Sequence, residues 1–103
     1  MSVKQISEKD FNKVINNKEK RVLVDCYADW CGPCKMLSPI IDELANEIDT
    51  CDFYKLNVDE AEDISREYGV MSIPTVLIFE NGKEVSRSVG LKTKEELTEI
   101  IIK

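Results

Sequence analysis

The run RVLVDCYA (residues 21–28) is β-branched, largely apolar and of buried-strand length, broken by one carboxylate, Asp25. After Cys31 the period changes: Leu37, Ile40, Ile41, Leu44 and Ile48 recur at helical spacing. DFYKLNV (52–58) then reads as another strand. A strand–helix–strand succession predicts parallel pairing through a right-handed crossover. Around this unit, VKQI (3–6) is a short strand, and Ser7 is placed to cap a helix to about Asn16 with Phe11, Val14 and Ile15 on one face. AEDISREY (61–68) is a short helix closed by Gly69 as a left-handed cap. TVLIFENGKEVSRSV (75–89) is two strands joined by Asn81-Gly82, a hairpin signal. In the tail, Thr93 and Glu96 form a capping box ahead of Leu97, Ile100 and Ile101, which face inward. The order β-α-β-α-β-α-β-β-α predicts an α/β fold with a mixed central sheet and helices on both faces.

A chain of 103 residues with 43% apolar residues supports one domain, residues 1–103, with one core. The 14 basic and 20 acidic residues give a formal charge of −6, which argues against nucleic acid or an anionic membrane as partner. MSVKQISEKDF has no apolar signal region, and no apolar run approaches membrane-spanning length. The default compartment is therefore a reducing cytoplasm, where Cys-x-x-Cys is catalytic or metal-binding rather than part of a disulfide framework.

Cys31 and Cys34 flank Gly32-Pro33 just past a strand's carboxyl end, at the start of a helix, where open α/β sheets place their sites. Unpaired N–H groups and a partial positive charge there favour a thiolate, so the first cysteine's pKa is expected to fall. Pro33 suits the first turn. Cys34 lies one turn on and within reach of a bridge, so Cys31 reads as the attacking thiol, nearer the surface, and Cys34 as the inward, resolving one. Gly-Pro brings no charge to the motif, which argues for a moderate thiolate and a reducing enzyme. A zinc site would need about four ligands. The chain has no histidine, and Cys26 and Cys51 form no second Cys-x-x-Cys. They read as small apolar fillers, too far apart for a bridge of their own. Without histidine there is no Cys-His protease chemistry either.

Asp25 has two readings: a buried acid with a raised pKa, or a carboxylate tied to loop N–H groups. Lys55 is either its neighbour or a solvated edge residue. The Ile73-Pro74 bond is open to either isomer, since X–Pro bonds are cis in about 5% of cases. Pro39, inside the long helix, is expected to kink it. Trp30 is core or contact surface. A binding module with an incidental dithiol, and a zinc-binding protein, are the functional alternatives to an enzyme.

The stretch VDCYADWCGPCKM, with PI following, resembles the active-site segment of thioredoxins. KLNVDE, YGVMSIPT, LIFENGKEV and Val89-Gly90 match that family in order and spacing, so the resemblance covers the whole chain. It implies the thioredoxin fold, with about five strands and about four helices, and a protein-disulfide reductase serving electron transport and cell redox homeostasis. Cys31 becomes the nucleophile and Cys34 the resolving cysteine of a redox disulfide. Asp25 becomes the buried proton acceptor, Lys55 its neighbour, and Pro74 the cis-proline facing the dithiol. An apolar docking patch is implied from Trp30, Gly32, Pro33, Ile73, Pro74, Val89 and Gly90. The partners implied are disulfide-containing proteins and, because no G-x-G-x-x-G follows a strand, a separate thioredoxin reductase as electron donor. A cytoplasmic monomer without metal or cofactor is expected. The chain departs from the family at Tyr27, where tryptophan is usual, at Cys26, where a core aromatic is usual, and at Met71-Ser72, which replaces a common Arg-Gly.

Overall fold

The computed structural model describes residues 3–103. Five strands form one sheet in the order β1-β3-β2-β4-β5. They are β1 (Lys4–Gln5), β2 (Arg21–Tyr27), β3 (Cys51–Asn57), β4 (Thr75–Glu80) and β5 (Lys83–Val89). The first three are parallel, while β4 is antiparallel to β2 and to β5, so the sheet is mixed. The helices are α1 (Phe11–Ile15), α2 (Gly32–Glu47), α3 (Glu62–Glu67) and α4 (Lys94–Ile102).

Alternation along β2 divides the core. Leu23 packs with Phe53, Val76 and Ile78 against Leu37, Ile41 and Leu44 of α2 and Leu97 and Ile101 of α4. Val22, Val24 and Cys26 pack on the opposite face with Phe11, Ile15 and Ile64. Asp25, two residues after Leu23, therefore projects toward α2. Rings of Phe11, Tyr68 and Phe79 close the second face at centroid distances of 5.3 to 5.6 Å.

The turn signals are obeyed. Asn81 and Gly82 take φ of 53° and 82° in the hairpin. Gly69, at φ 63°, ends α3 in a Schellman arrangement, with Val70 N–H donating to Ser65 O and Gly69 N–H to Arg66 O. Both halves of the Thr93–Glu96 capping box are present. Two expectations need correction. The segment after Ser7 is a 3-10 turn (Glu8–Asp10) followed by α1, not one helix to Asn16. The Ser7 hydroxyl donates to the Asp10 carboxylate instead of capping a backbone N–H, which leaves the first turn to its tighter backbone bonding. Ile48 lies one residue past α2 in extended conformation, yet packs on the core from there. Pro39 does fall inside α2.

Cys26 pairs with Leu56, and Cys51 with Arg21. The two cysteines therefore stand five registers apart on neighbouring strands, about 16 Å at 3.3 Å per residue, and both are free and buried. Mass spectrometry of the oxidised, denatured and alkylated chain is expected to find two alkylated thiols, Cys26 and Cys51, and one bridge. A peptide linking Cys26 to Cys51 would contradict the β2–β3 register.

Candidate active site

The geometry begins with where β2 ends. Its last residue, Tyr27, is followed by a short loop, and Cys31 then serves as the N-cap of α2 with extended φ and ψ of −89° and 111°. Cys31 N–H donates to Ala28 O, and the Cys34 N–H donates to Cys31 Sγ at 3.2 Å. The sulfur of Cys31 thus occupies the position of an N-cap acceptor, where a developing negative charge meets the helix N-terminus. Pro33 lies in the first turn, where its missing N–H is no loss. Cys31 and Cys34 are bridged, with Cα atoms 5.2 Å apart.

Exposure does not separate the two cysteines as the sequence suggests. Cys31 is 4% exposed and Cys34 3%. The bridge pulls both into a small cluster with Ala28, against which Tyr27, Val58 and Ile73 pack. What distinguishes them is the side they face. Cys34 lines a cavity of about 350 Å³ together with Asp25, Tyr27, Asp29, Lys35, Ser38 and Lys55, and Cys31 does not.

Asp25 is 5% exposed, and its Oδ1 has no hydrogen-bond partner within the chain. No loop N–H group bonds to Oδ1, which agrees with the reading of a buried acid. Burial pushes its pKa from 3.8 up to about 7; the Lys55 charge pulls it down in part, and Asp42 of α2 pushes it up. Lys55 is the β3 partner of Asp25 in the parallel register, so it is a neighbour and not a stray edge residue.

Of the docking residues, Trp30 is 71% exposed, and its indole N–H donates to Asp59 at 2.8 Å. Gly32 and Pro33 are exposed. Ile73 packs on the dithiol cluster. The Ile73–Pro74 bond is cis. Pro74 itself is buried, so its exposed neighbours form the outer surface there. Its carbonyl accepts from Gly90 N–H at 2.8 Å, and Val89, half exposed, pairs with Thr75. Met71, three residues before Pro74, is almost fully exposed. Sequence reasoning missed Asp59, Ser38 and Asp42. A helical signal existed for two of them: Ser38 and Asp42 follow Cys34 at i+4 and i+8 and so share its side of α2. Among the described residues no group of three or more His, Cys, Asp or Glu side chains stands where a metal could be held. No helix among them is long and apolar enough to cross a membrane.

A family model described as thioredoxin matches residues 2–103. The chain belongs to the thioredoxin family. It is 44% identical to a thioredoxin of Chlamydia caviae over 99 residues, 96% of this chain and 95% of that protein. It is 42% identical to one of Staphylococcus epidermidis over 104 residues, covering all of this chain and 98% of the other. Among solved structures, a mutant thioredoxin from Halobacterium salinarum superposes with a TM-score of 0.89 at 35% identity, over 97% of this chain and 88% of that one. A Malassezia sympodialis thioredoxin gives 0.88 at 36%, over 98% and 89%. With its bridged cysteine pair, the chain is a thiol–disulfide oxidoreductase of the thioredoxin type, a protein-disulfide reductase.

Asp25 gives the site a measurable stability signature. Between pH 3.8 and about 7 the folded chain keeps a proton that the unfolded chain has released. Stability therefore falls as pH rises through that window and is lowest above it. The full difference is roughly 4 kcal/mol. Asp25→Asn is expected to remove this slope from the oxidised protein and to be the more stable form at pH 8 by up to that amount. Urea unfolding at pH 4, 6 and 8 measures it; parallel wild-type and variant curves would show that Asp25 is ionised and solvated in the fold.

Proposed function

We propose that Cys31 is the nucleophile, Cys34 the resolving cysteine, and Asp25 the group that accepts the Cys34 proton. The observation that carries this reading is the shared cavity. Cys34 opens onto the same space as the buried carboxyl of Asp25, whose Oδ1 has no hydrogen-bond partner within the chain and whose pKa is raised to about 7. A group near neutrality takes and returns protons at the pH of the cell, which is what a general base requires. A carboxylate of ordinary pKa would be a far weaker base.

The reaction runs as two exchanges. The Cys31 thiolate attacks one sulfur of a target disulfide, a mixed disulfide forms, and the target's other sulfur leaves as a thiolate that takes a proton from solvent. Cys34 gives its proton to Asp25 and attacks Cys31 Sγ. The target's second sulfur leaves, and the Cys31–Cys34 bridge holds the two electrons' worth of oxidation removed from the target. The next cycle needs two electrons and two protons, supplied by a separate protein dithiol; we assign that role to a thioredoxin reductase. Targets dock through Trp30, Gly32, Pro33, Ile73, Val89 and Gly90 around Pro74; exposed Trp30 and Val89, and Ile73 packed on the dithiol cluster, support this reading. We read the chain as one domain, acting as a cytoplasmic monomer within redox homeostasis.

The roles separate on non-reducing gels. Cys34→Ser is expected to accumulate mixed disulfides with a disulfide substrate such as insulin, because attack proceeds and release does not. Cys31→Ser is expected to trap little. Equal trapping by both would sink the assignment. Asp25→Asn is expected to slow release by about 10²–10⁴-fold while affecting attack less. Single-turnover kinetics from pH 5.5 to 9 measures both steps, and a variant matching wild type in release at every pH would return Asp25 to a structural role.

A further inference from the structure

Tyr27 stands two positions after Asp25 on β2, so both side chains leave the same face of the sheet. Lys55 is the cross-strand partner of Asp25 on that face. Its ammonium lies over the Tyr27 ring, 5.9 Å from the centroid. All three side chains line the cavity that Cys34 also faces. We propose that the Tyr27 ring is a positioning group that holds the Lys55 ammonium over the cavity, and that through Lys55 it sets the pH at which Asp25 titrates.

The physical need is plain. A lysine ammonium is a compact, strongly hydrated charge on a flexible four-carbon stem. Lys55 is only partly buried, so without a tether its charge would be shared with bulk water. The face of an aromatic ring attracts a cation within about 6 Å, and this contact sits near the outer end of that range. The ring is thus a modest tether, and its effect on Asp25 is indirect. The remaining groups around Asp25 do not replace Lys55. Cys34 and Ser38 of α2 are uncharged in their resting forms, Asp42 of α2 acts with the opposite sign, and β4 presents the apolar Val76. Lys35 and Asp29 also line the cavity, but they are exposed and of opposite charge. Burial, then Asp29, Glu60 and Asp25, push the Tyr27 phenol above its ordinary value. The phenol stays neutral over the working range, and the ring face, not the hydroxyl, does the positioning.

This inference rests on the reading of Asp25 as proton acceptor, and two measurements keep the two ideas apart. The first is a carbon-13 NMR titration of the Asp25 carboxyl in the reduced protein. The second is the pH profile of the release step. Both are run on wild type, Tyr27→Phe, Tyr27→Leu, Lys55→Met and the Tyr27→Leu/Lys55→Met pair. Tyr27→Leu is expected to raise the Asp25 midpoint by about half a pH unit. Tyr27→Phe, which keeps the ring face, is expected to keep the wild-type midpoint. In the Lys55→Met background Tyr27→Leu should add nothing, because the tether then holds no charge. Pentafluorophenylalanine at position 27 keeps the ring's shape and reverses its electrostatic face, so it should raise the midpoint as leucine does and serves if Tyr27→Leu fails to fold. A shift by Tyr27→Leu that persists in full without Lys55, or no shift at all, would overturn the positioning role. A carboxyl titration that moves as expected while the release profile stays fixed would uphold the tether and overturn Asp25 as acceptor.

Discussion

Strand β2 is hydrogen-bonded along both edges, parallel to β3 and antiparallel to β4, and everything chemical in the molecule hangs from that double pairing. It fixes Asp25 opposite Lys55 on one side and Val76 on the other. It carries the chain out of the sheet at Tyr27, so that the following loop delivers Cys31 to the N-terminus of α2. The same alternation that buries Leu23 under α2 buries Asp25 there too, two residues on. A slip of one residue would turn Asp25 to the other face and bring Cys26 toward the dithiol in its place.

The cost of that placement is large on the scale of a small domain. Roughly 4 kcal/mol for ionising Asp25 compares with a total of about 5–15 kcal/mol for a typical fold. A purely structural residue under such a burden would be expected to recover something through hydrogen bonds, yet Oδ1 has none within the chain. Lys55 offsets only part of the burial. A buried acid with a pKa of about 7, lining the same cavity as Cys34, is the arrangement that the proposed proton transfer calls for. The helix N-terminus favours negative charge on Cys31, whereas Cys34 shares a cavity with the buried carboxyl of Asp25. The two cysteines, three residues apart, thereby meet different electrostatics.

Most of the fold was legible because its signals are local. Gly69, Asn81-Gly82 and the Thr93–Glu96 box each specify a backbone geometry in a few residues, and each is found as expected. The strand runs and the α2 stripe are long enough to declare their periods. The segment after Ser7 was not legible to the same degree, because a serine can satisfy itself on Asp10 as readily as cap a helix, and the choice is settled by geometry the sequence does not print. The dithiol could be read from four residues. Asp25 could be read only as an anomaly, since whether loop N–H groups reach it depends on tertiary placement. The cavity, the Lys55–Tyr27 contact and the Trp30–Asp59 bond depend on the register between distant strands and loops, which no local pattern encodes.

The two spare cysteines show how position alone decides whether a thiol reacts. Cys26 adjoins Asp25 in sequence, yet strand alternation sends it to the opposite face, among Phe11, Leu56 and Phe79. Burial, reinforced by the Asp25 charge, pushes its pKa up to about 12, and burial with Asp52 does the same to Cys51. Neither thiol ionises appreciably near neutral pH, and thiol–disulfide exchange needs the thiolate. Neither has the N-cap position that Cys31 occupies. The departure from the usual core aromatic at position 26 therefore adds a thiol to the chain without adding a competitor to the dithiol. For Cys26, the apolar face of β2 opposite Asp25 keeps the thiol both protonated and out of reach.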